Sequence, residues 1–219
     1  MKSLKYIGKL ELLGIGYSVN TFEACSKEEL VQILWKTQCY SPQALLIIAQ
    51  LCIDFEIYDY SLWDKNLTKL AKLLMVNDLK KILHQVRNIG AIVNSSGYLL
   101  GWELIISEPF RKMDIYPTPE QIENCIEALQ LVYSCPIVHM LRFNDIIQYC
   151  FQCQQPHLAL ALLPFLNDDD TKFALEEIKH APNMVNILED LNNLSLNGIL
   201  CVAYCKKIVE DAVNKMSSQ

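Results

Sequence analysis

The segment CFQCQQPHLALALLPFL, residues 150–166, places a proline between two apolar helical stripes. On both sides of Pro156 the apolar side chains recur every three or four residues, which is the spacing of one helix face. Two glutamines form a polar turn before the proline, and proline suits the first turn of a new helix. The stripes consist of Ile146, Ile147, Cys150 and Phe151, then Leu158, Ala159, Leu162, Leu163 and Leu166. The pattern predicts an antiparallel helical hairpin, with helices over about 143–154 and 156–166.

Other segments repeat this arrangement of a capped start followed by an apolar stripe. In 118–135, TPEQIENCIEALQLVYSC, Thr118 is expected to cap the helix and Gln121 to complete a capping box. Ser26 and Ser41 are expected to cap two more helices. The helix after Ser41 is apolar on nearly all sides, so we expect it to be central. Further helices are predicted over 61–75, 77–86, 170–180, 183–193 and 196–215.

The fold class follows from the near absence of strand alternation along the chain. Helical segments of about ten to sixteen residues, joined by short turns, predict an all-α fold, an irregular α-solenoid segment of stacked antiparallel helical hairpins. No exact sequence period is present, so a regular TPR or HEAT array is not predicted. We expect one α-helical solenoid domain over 1–219. A loop-rich interruption with one imperfect helix is predicted at 90–116, because Gly97 and Gly101 interrupt the pattern and Asn94 begins a turn-like Asn-Ser-Ser-Gly.

The composition excludes several classes of protein. Hydrophobic residues make up 52% and charged residues 20%, with only 7 glycines and 8 prolines, which excludes a disordered chain. The mean hydropathy of +0.16 is high for a free-standing domain and indicates apolar surface meant for a neighbour. The formal net charge is −6 and no basic stripe exists, so binding to nucleic acid through phosphate contacts is not expected.

The chain also lacks the features of a membrane or secreted protein. A transmembrane helix needs about 20 mostly apolar residues, and no run approaches that length. Lys5, Lys9 and Glu11 lie inside the N-terminal stretch that would have to be apolar in a signal peptide. The nine cysteines are odd in number and scattered over apolar helix faces, as reduced core cysteines are. We therefore expect an intracellular protein without direct membrane insertion.

Cys150 and Cys153 form one CxxC pair. A thioredoxin-like site needs a strand before the pair, and a zinc site needs a second pair of ligands. Cys201 and Cys205 are one helical turn apart, but they follow about fifty residues later among apolar neighbours. Structural core cysteines are the favoured interpretation, a metal or thiol enzyme is the alternative, and the zinc content of the purified protein distinguishes them.

No other group of residues has the spacing of a catalytic or metal site. The histidines, which share no ligand spacing, are His84, His139, His157 and His180. The acidic run 168–170 lacks the alternating ligands of an EF-hand and is interpreted as a turn with an acidic helix start. The tryptophans, interpreted as core or interface anchors rather than a binding cage, are Trp35, Trp63 and Trp102. P-loop, GxGxxG and GxSxG motifs are absent. We predict a protein that is not an enzyme, with no catalytic residue, cofactor or metal site.

Four segments are similar to a known family. They are TFEACSKEELVQILWK (21–36), ALLIIAQLCIDFEIYDYSLWDKNLTKLAKLL (44–74), TPEQIENCIEALQLVYSCP (118–136) and QQPHLALALLPFL (154–166). Together they resemble the C-terminal region of Rod, the kinetochore-associated subunit of the Rod–Zwilch–Zeste-white-ten (RZZ) complex. The resemblance covers about two thirds of the chain and consists of whole segments without a short diagnostic motif.

The resemblance implies a scaffold in mitosis. Rod-like proteins have an N-terminal β-propeller and a long α-solenoid, and they support spindle assembly checkpoint signalling at kinetochores. The implied partners are the Zwilch and Zeste-white-ten subunits, the adaptor Spindly, and dynein with dynactin. The implied location is the cytoplasm, and the kinetochore in mitosis. Because family members are far longer, we expect the chain to be a short isoform, a partial gene model or a fragment.

Architecture alone leaves one alternative. The solenoid prediction also fits a vesicle-tethering or coat-type subunit of traffic between the endoplasmic reticulum and the Golgi.

Overall fold

The computed structural model describes residues 2–179, 184–196, 199 and 202–217, and in these residues every regular element is a helix. The α-helices are α1 (Lys2–Glu11), α2 (Val19–Ala24), α3 (Lys27–Gln38), α4 (Pro42–Asp54), α5 (Tyr60–Lys72), α6 (Val76–Val86), α7 (Gly90–Val93), α8 (Ser96–Arg111), α9 (Pro119–Ser134), α10 (Asn144–Gln152), α11 (Pro156–Leu160), α12 (Asp168–Lys179), α13 (Met184–Leu196) and α14 (Val202–Ser217). Two short 3-10 helices span Val138–Met140 and Leu163–Phe165. The all-α prediction is confirmed.

The chain divides into two units, Met1–Trp102 and Glu103–Gln219. In the first unit α3 packs on α4, α4 on α5 and α5 on α6, each next to its neighbour in sequence. In the second unit α10 packs on α11, and α13 packs on both α11 and α14. Contacts between helices that follow each other in sequence need only short connections.

Helix α4 lies at the centre of the first unit and contacts α3, α5 and α6. Its buried residues occupy nearly every side, as the sequence predicts: Ala44, Leu45, Ile47, Ile48, Ala49, Leu51 and Cys52. A helix that is apolar all round has no polar face to expose to water, so neighbouring helices must cover it.

Side-chain caps begin the helices where the sequence predicts them. The hydroxyl groups of Ser26 and Ser41 each accept a hydrogen bond from a backbone N–H in the first turn of the helix that follows. Thr118 and Gln121 form the predicted capping box, in which each side chain accepts a hydrogen bond from the other residue's backbone N–H. Helix α5 begins slightly earlier than predicted, because Asp59 accepts the N–H of the third residue and caps the helix.

The first two helices lie before the earliest helix that the sequence predicted. Helix α1 buries Tyr6, whose hydroxyl donates to Asp54 Oδ2 at 2.5 Å and lies 3.1 Å from the carbonyl oxygen of Gln50. The Tyr6 ring lies 6.1 Å from Phe22 of α2 and 5.9 Å from Phe55 at the end of α4. This ring cluster attaches α1 and α2 to α4. The contacts are far apart in sequence, so local patterning did not reveal them.

The segment 90–116 is more helical than its glycines indicate. A turn at residues 94–95 separates α7 from the sixteen-residue α8, which contains both Gly97 and Gly101. The carboxylate of Asp64 on α5 accepts hydrogen bonds from the Ser96 hydroxyl at 2.8 Å and the Gly97 N–H at 2.7 Å. A Cβ atom on Gly97 would lie 2.3 Å from the carbonyl oxygen of Asp64. Glycine is therefore required for this close approach rather than for breaking a helix.

The predicted hairpin after residue 143 forms, but its second helix is shorter than predicted. The prediction of one helix over 156–166 is wrong: α11 ends at Leu160 and a 3-10 turn follows. Pro164 lacks the N–H that would bond to Leu160, and its ring would crowd that residue's carbonyl group. Apolar side chains on both halves are nevertheless buried, including Leu158 and Leu162. Helices α12 and α13 begin and end within three residues of their predicted bounds, whereas α14 begins at Val202, six residues later than predicted.

Three helices end with an ordinary residue in the left-handed conformation. These residues are Glu56 after α4, Leu74 after α5 and Gln154 after α10, with φ of 56°, 55° and 57°. After α10, the Gln155 N–H donates to the Cys150 carbonyl at 2.8 Å and the Gln154 N–H to the Phe151 carbonyl at 3.1 Å. This is the Schellman motif, which satisfies the last carbonyl groups of a helix while the chain turns back.

We expect Gln154→Gly to stabilise the protein by about 0.5–1 kcal/mol, because a side chain in the left-handed region costs about 1–2 kcal/mol and the added chain entropy of glycine offsets part of the gain. The matched control is Gln148→Gly, at an exposed position in the middle of α10, which should destabilise by about 1 kcal/mol. The midpoint of urea unfolding measures both. Shifts of the same sign for the two variants would contradict the helix-end geometry.

Candidate protein-interaction surface

The CxxC pair lies in the core of the second unit. Cys150 is fully buried on α10 and Cys153 is nearly so, with its Sγ 3.5 Å from the Met113 carbonyl oxygen. Cys125 of α9 is also buried, with its Sγ 4.0 Å from Met113 Sδ. Burial raises the pKa of Cys125 to about 12 and the pKa of Cys150 well above its ordinary value, and the neighbouring thiols add to the rise. These thiols therefore stay protonated at neutral pH, a state unsuited to nucleophilic attack or metal binding.

Cys125 was not singled out in sequence as a neighbour of the CxxC pair, because the three thiols meet only through the packing of α9 and α10. The second predicted pair is only half described: Cys205 is buried on α14, and Cys201 lies outside the described residues. Within the described residues, no group of three or more His, Cys, Asp or Glu side chains could hold a metal ion.

We expect Cys150→Ser to lower the free energy of unfolding by about 1–3 kcal/mol, because it buries a hydroxyl group among apolar side chains. Cys39→Ser, at a half-exposed position, is the control and should change it by no more than about 0.5 kcal/mol. Chemical denaturation measures both, and elemental analysis of the purified protein should find no stoichiometric zinc. Bound zinc that is lost from the Cys150 variant would revive the metal-site alternative.

The described histidines are separated from one another. His139 is exposed, and His84 lies edge-on to Trp102 with ring centroids 5.7 Å apart. His157 is buried on α11, with Nδ1 3.9 Å from Asp190 Oδ2 of α13. Burial lowers the pKa of His157, and Asp190 acts in the opposite direction. The fourth, His180, lies outside the described residues.

The lowered pKa of His157 makes stability depend on pH. The unfolded chain binds a proton at about the ordinary pKa of 6.5, whereas the folded chain binds it only at lower pH. Stability is therefore complete above that value and is lost as the pH falls from it toward the folded pKa.

The urea midpoint should fall between about pH 7.5 and pH 5.5, and His157→Gln should reduce this fall. Asp190→Asn should enlarge the fall, since it removes the group that opposes the lowered pKa. A His157→Gln protein that loses as much stability as the parent over the same range would contradict the assignment.

The acidic run begins α12, as the sequence predicts. Asn167 accepts the N–H of Asp170 at 2.8 Å and its side-chain amide donates to the Asp170 carboxylate at 2.8 Å. Asp168 and Asp169 lie exposed in the first turn, where the helix dipole favours negative charge. The hydrogen bonds of Asn167 and the helix dipole thus explain why acidic residues lie at this position.

The three tryptophans divide between core and surface. Trp63 and Trp102 are buried, and Trp63 Nε1 donates to the Ile57 carbonyl at 2.8 Å. Trp35 on α3 is half-exposed. Lys69 of α5 places its ammonium 5.1 Å from the Trp35 ring and 4.3 Å from the ring of Tyr40. Such a cation over aromatic faces holds the C-terminal halves of α3 and α5 together.

Two open clefts lie on the first unit. One has mostly apolar and neutral polar walls: Lys9, Leu12, Leu13, Gln38, Ser41, Gln43, Leu46 and Ile47. The other, which we call the α3–α5 groove, has aromatic and charged walls: Glu28, Gln32, Trp35, Lys36, Glu56, Ile57, Tyr58, Asp59, Ser61, Leu62 and Lys65. Exposed aromatic side chains beside charged ones are typical of surfaces that bind other proteins.

No described helix is both long and apolar enough to cross a lipid bilayer. The class of protein defined by these observations is an all-α protein of short packed helices with open clefts. The chain belongs to the family Rough deal protein C-terminal region, whose model matches residues 1–206. The family predicted from the sequence is thus confirmed, over more of the chain than the four quoted segments.

Two curated relatives carry the same name. The chain is 25% identical over 217 residues to Kinetochore-associated protein 1 of Mus musculus and 24% identical over 217 residues to Kinetochore-associated protein 1 of Homo sapiens. Each alignment covers 91% of this chain and 10% of the relative. The chain therefore spans about one tenth of the length of the relatives it matches.

Proposed function

We propose that this chain is a non-enzymatic scaffold segment that acts at kinetochores during mitosis. The observation that carries the proposal is the family match over residues 1–206, together with two relatives named for their association with kinetochores. The net charge of −6 does not favour a role in binding nucleic acid directly, so attachment through other proteins is proposed.

The arrangement of helices supports a scaffold role. Consecutive helices pack on one another in neighbouring pairs within each unit, and helices such as α3 and α5 keep one face exposed. We propose that residues 1–219 form one irregular α-solenoid domain built from these hairpins, a fold class that commonly presents extended surfaces to partners.

The proposed partners come from the family. They are the Zwilch and Zeste-white-ten subunits, Spindly, and dynein with dynactin, and the proposed roles are spindle assembly checkpoint signalling and dynein recruitment. Outside mitosis the proposed location is the cytoplasm. The vesicle-tethering alternative rests on helical architecture alone, and the names of the curated relatives give it no support.

The test is fluorescence imaging of the full chain, tagged and expressed in dividing cells of its own species. We expect enrichment at kinetochores in prometaphase, with the tag alone as the control. Diffuse signal in well-expressing prometaphase cells, with the control and the tagged chain indistinguishable, would count against the proposal. Co-purification with tethering subunits of the endoplasmic reticulum in interphase would favour the alternative instead.

A further inference from the structure

The α3–α5 groove runs along two helices that point the same way. Helix α4 lies between them in sequence and packs on both, so each connection reverses the chain direction. Lys69, near the C-terminal end of α5, donates to the carbonyl oxygen of Cys39 just after α3 at 3.0 Å. The C-terminal ends of α3 and α5 are therefore adjacent, and their N-terminal halves border the other end of the groove.

Charge changes sign along the groove. On α3, Glu28, Gln32 and Lys36 are spaced four residues apart and lie on one stripe, about 12 Å from first to last. On the opposite wall the order is the same, with Glu56 and Asp59 before α5 and Lys65 within it. One end of the groove is thus acidic and the other is basic.

These charges are available to a partner. Glu28, Lys36, Glu56 and Lys65 are all exposed, and none of them takes part in a salt bridge within the described residues. Aromatic and apolar side chains also line the groove, including Trp35, Tyr58 and Leu62. Tyr58 is a large aromatic side chain and is 41% exposed. Aromatic anchors of this kind contribute most of the binding energy at protein interfaces.

We propose that the α3–α5 groove binds an amphipathic α-helix of a partner protein, which lies antiparallel to α3 and α5. The charge pattern fixes both the occupant and its direction. A helix with acidic residues in its first turn and basic residues in its last turn matches the basic and acidic ends of the groove in this orientation only. Its own dipole also runs opposite to those of α3 and α5. Acidic and basic residues about eight positions apart would span the groove.

This inference deepens the proposed scaffold function, because it names the kind of partner that one surface of the scaffold takes. A helix in a groove buries an apolar face while its flanks carry the charged contacts. An extended peptide that binds as an added strand would instead need an exposed sheet edge, and the described residues contain no strand.

The test is site-specific photo-cross-linking of the full chain in mitotic cells. The probe p-benzoylphenylalanine replaces Tyr58 in the groove, and in the control it replaces Tyr116, which is 83% exposed and does not line the groove. Mass spectrometry then identifies the cross-linked peptide. We expect a partner segment of helical period, with acidic residues about eight positions before basic ones, at Tyr58 and not at Tyr116.

Charge reversal tests the direction. Lys36→Glu combined with Lys65→Glu should reduce the yield of this cross-link about fivefold or more, because the acidic end of the partner then meets like charge. The control variant, Lys81→Glu with Arg87→Glu, changes the net charge equally at exposed positions of and just after α6, and should leave the yield within about twofold. Circular dichroism of the purified variants checks that each is folded.

The proposal is overturned if no cross-link forms at Tyr58, if the captured segment has no helical period, or if it belongs to a second copy of this chain. An equal loss of yield in both charge variants would also overturn the stated orientation. The kinetochore proposal fails separately: a chain that stays diffuse in prometaphase yet captures the expected helix retains this inference, and a kinetochore-bound chain that captures nothing loses it.

Discussion

Most helices of this chain are too short to be stable by themselves, so each depends on burying its apolar stripe against the next. Isolated helices below about 12–15 residues are marginal in water, and α7 and α11 have only four and five residues. Helix α11 is nevertheless buried along its length through α9, α10 and α13. Each fully buried Leu or Ile contributes about 1.5–3 kcal/mol, which exceeds what helix propensity could supply. Packing between neighbours therefore holds the local structure in place.

That dependence makes the ends of the helices as important as their faces. A helix can pack on its sequence neighbour only when the chain reverses within a few residues and leaves no buried carbonyl unpaired. The Schellman motifs after α4, α5 and α10 meet both needs, and they do so with Glu56, Leu74 and Gln154 in a conformation that glycine would adopt more easily. At the start of α8, the carboxylate of Asp64, which is distant in sequence, accepts hydrogen bonds from the Ser96 hydroxyl and the Gly97 N–H. The connections are thus tight without many glycines.

The same packing buries several ionisable side chains and leaves aromatic and charged ones on the surface. Buried thiols such as Cys150 contribute to packing, and burial keeps them protonated. Burial also lowers the pKa of His157 and so favours its neutral form. Aromatic and charged side chains remain on the faces that no neighbouring helix covers, most clearly along α3 and α5. These uncovered faces line the clefts for which binding of other proteins is proposed, in a chain that belongs to the Rough deal protein C-terminal region family.

The sequence by itself determined whatever depends on neighbours within one or two turns of helix. The caps at Ser26, Ser41 and Thr118, the central position of α4 and the all-α class follow from local hydrogen bonding and the 3.6-residue period. Pro164 is also a local signal for the end of a helix, although the apolar residues around it fit the spacing of one continuous helix.

Only the tertiary structure decided the features that join distant residues. The ring of Tyr6 reaches Asp54 across 48 positions, and Gly97 is required because the backbone of Asp64 approaches it. The two walls of the α3–α5 groove, which carry their charges in the same order, belong to separate segments that become neighbours only after α4 has packed on both. Sequence periodicity describes one helix at a time, whereas these features depend on which helix faces meet, and that choice is made by packing.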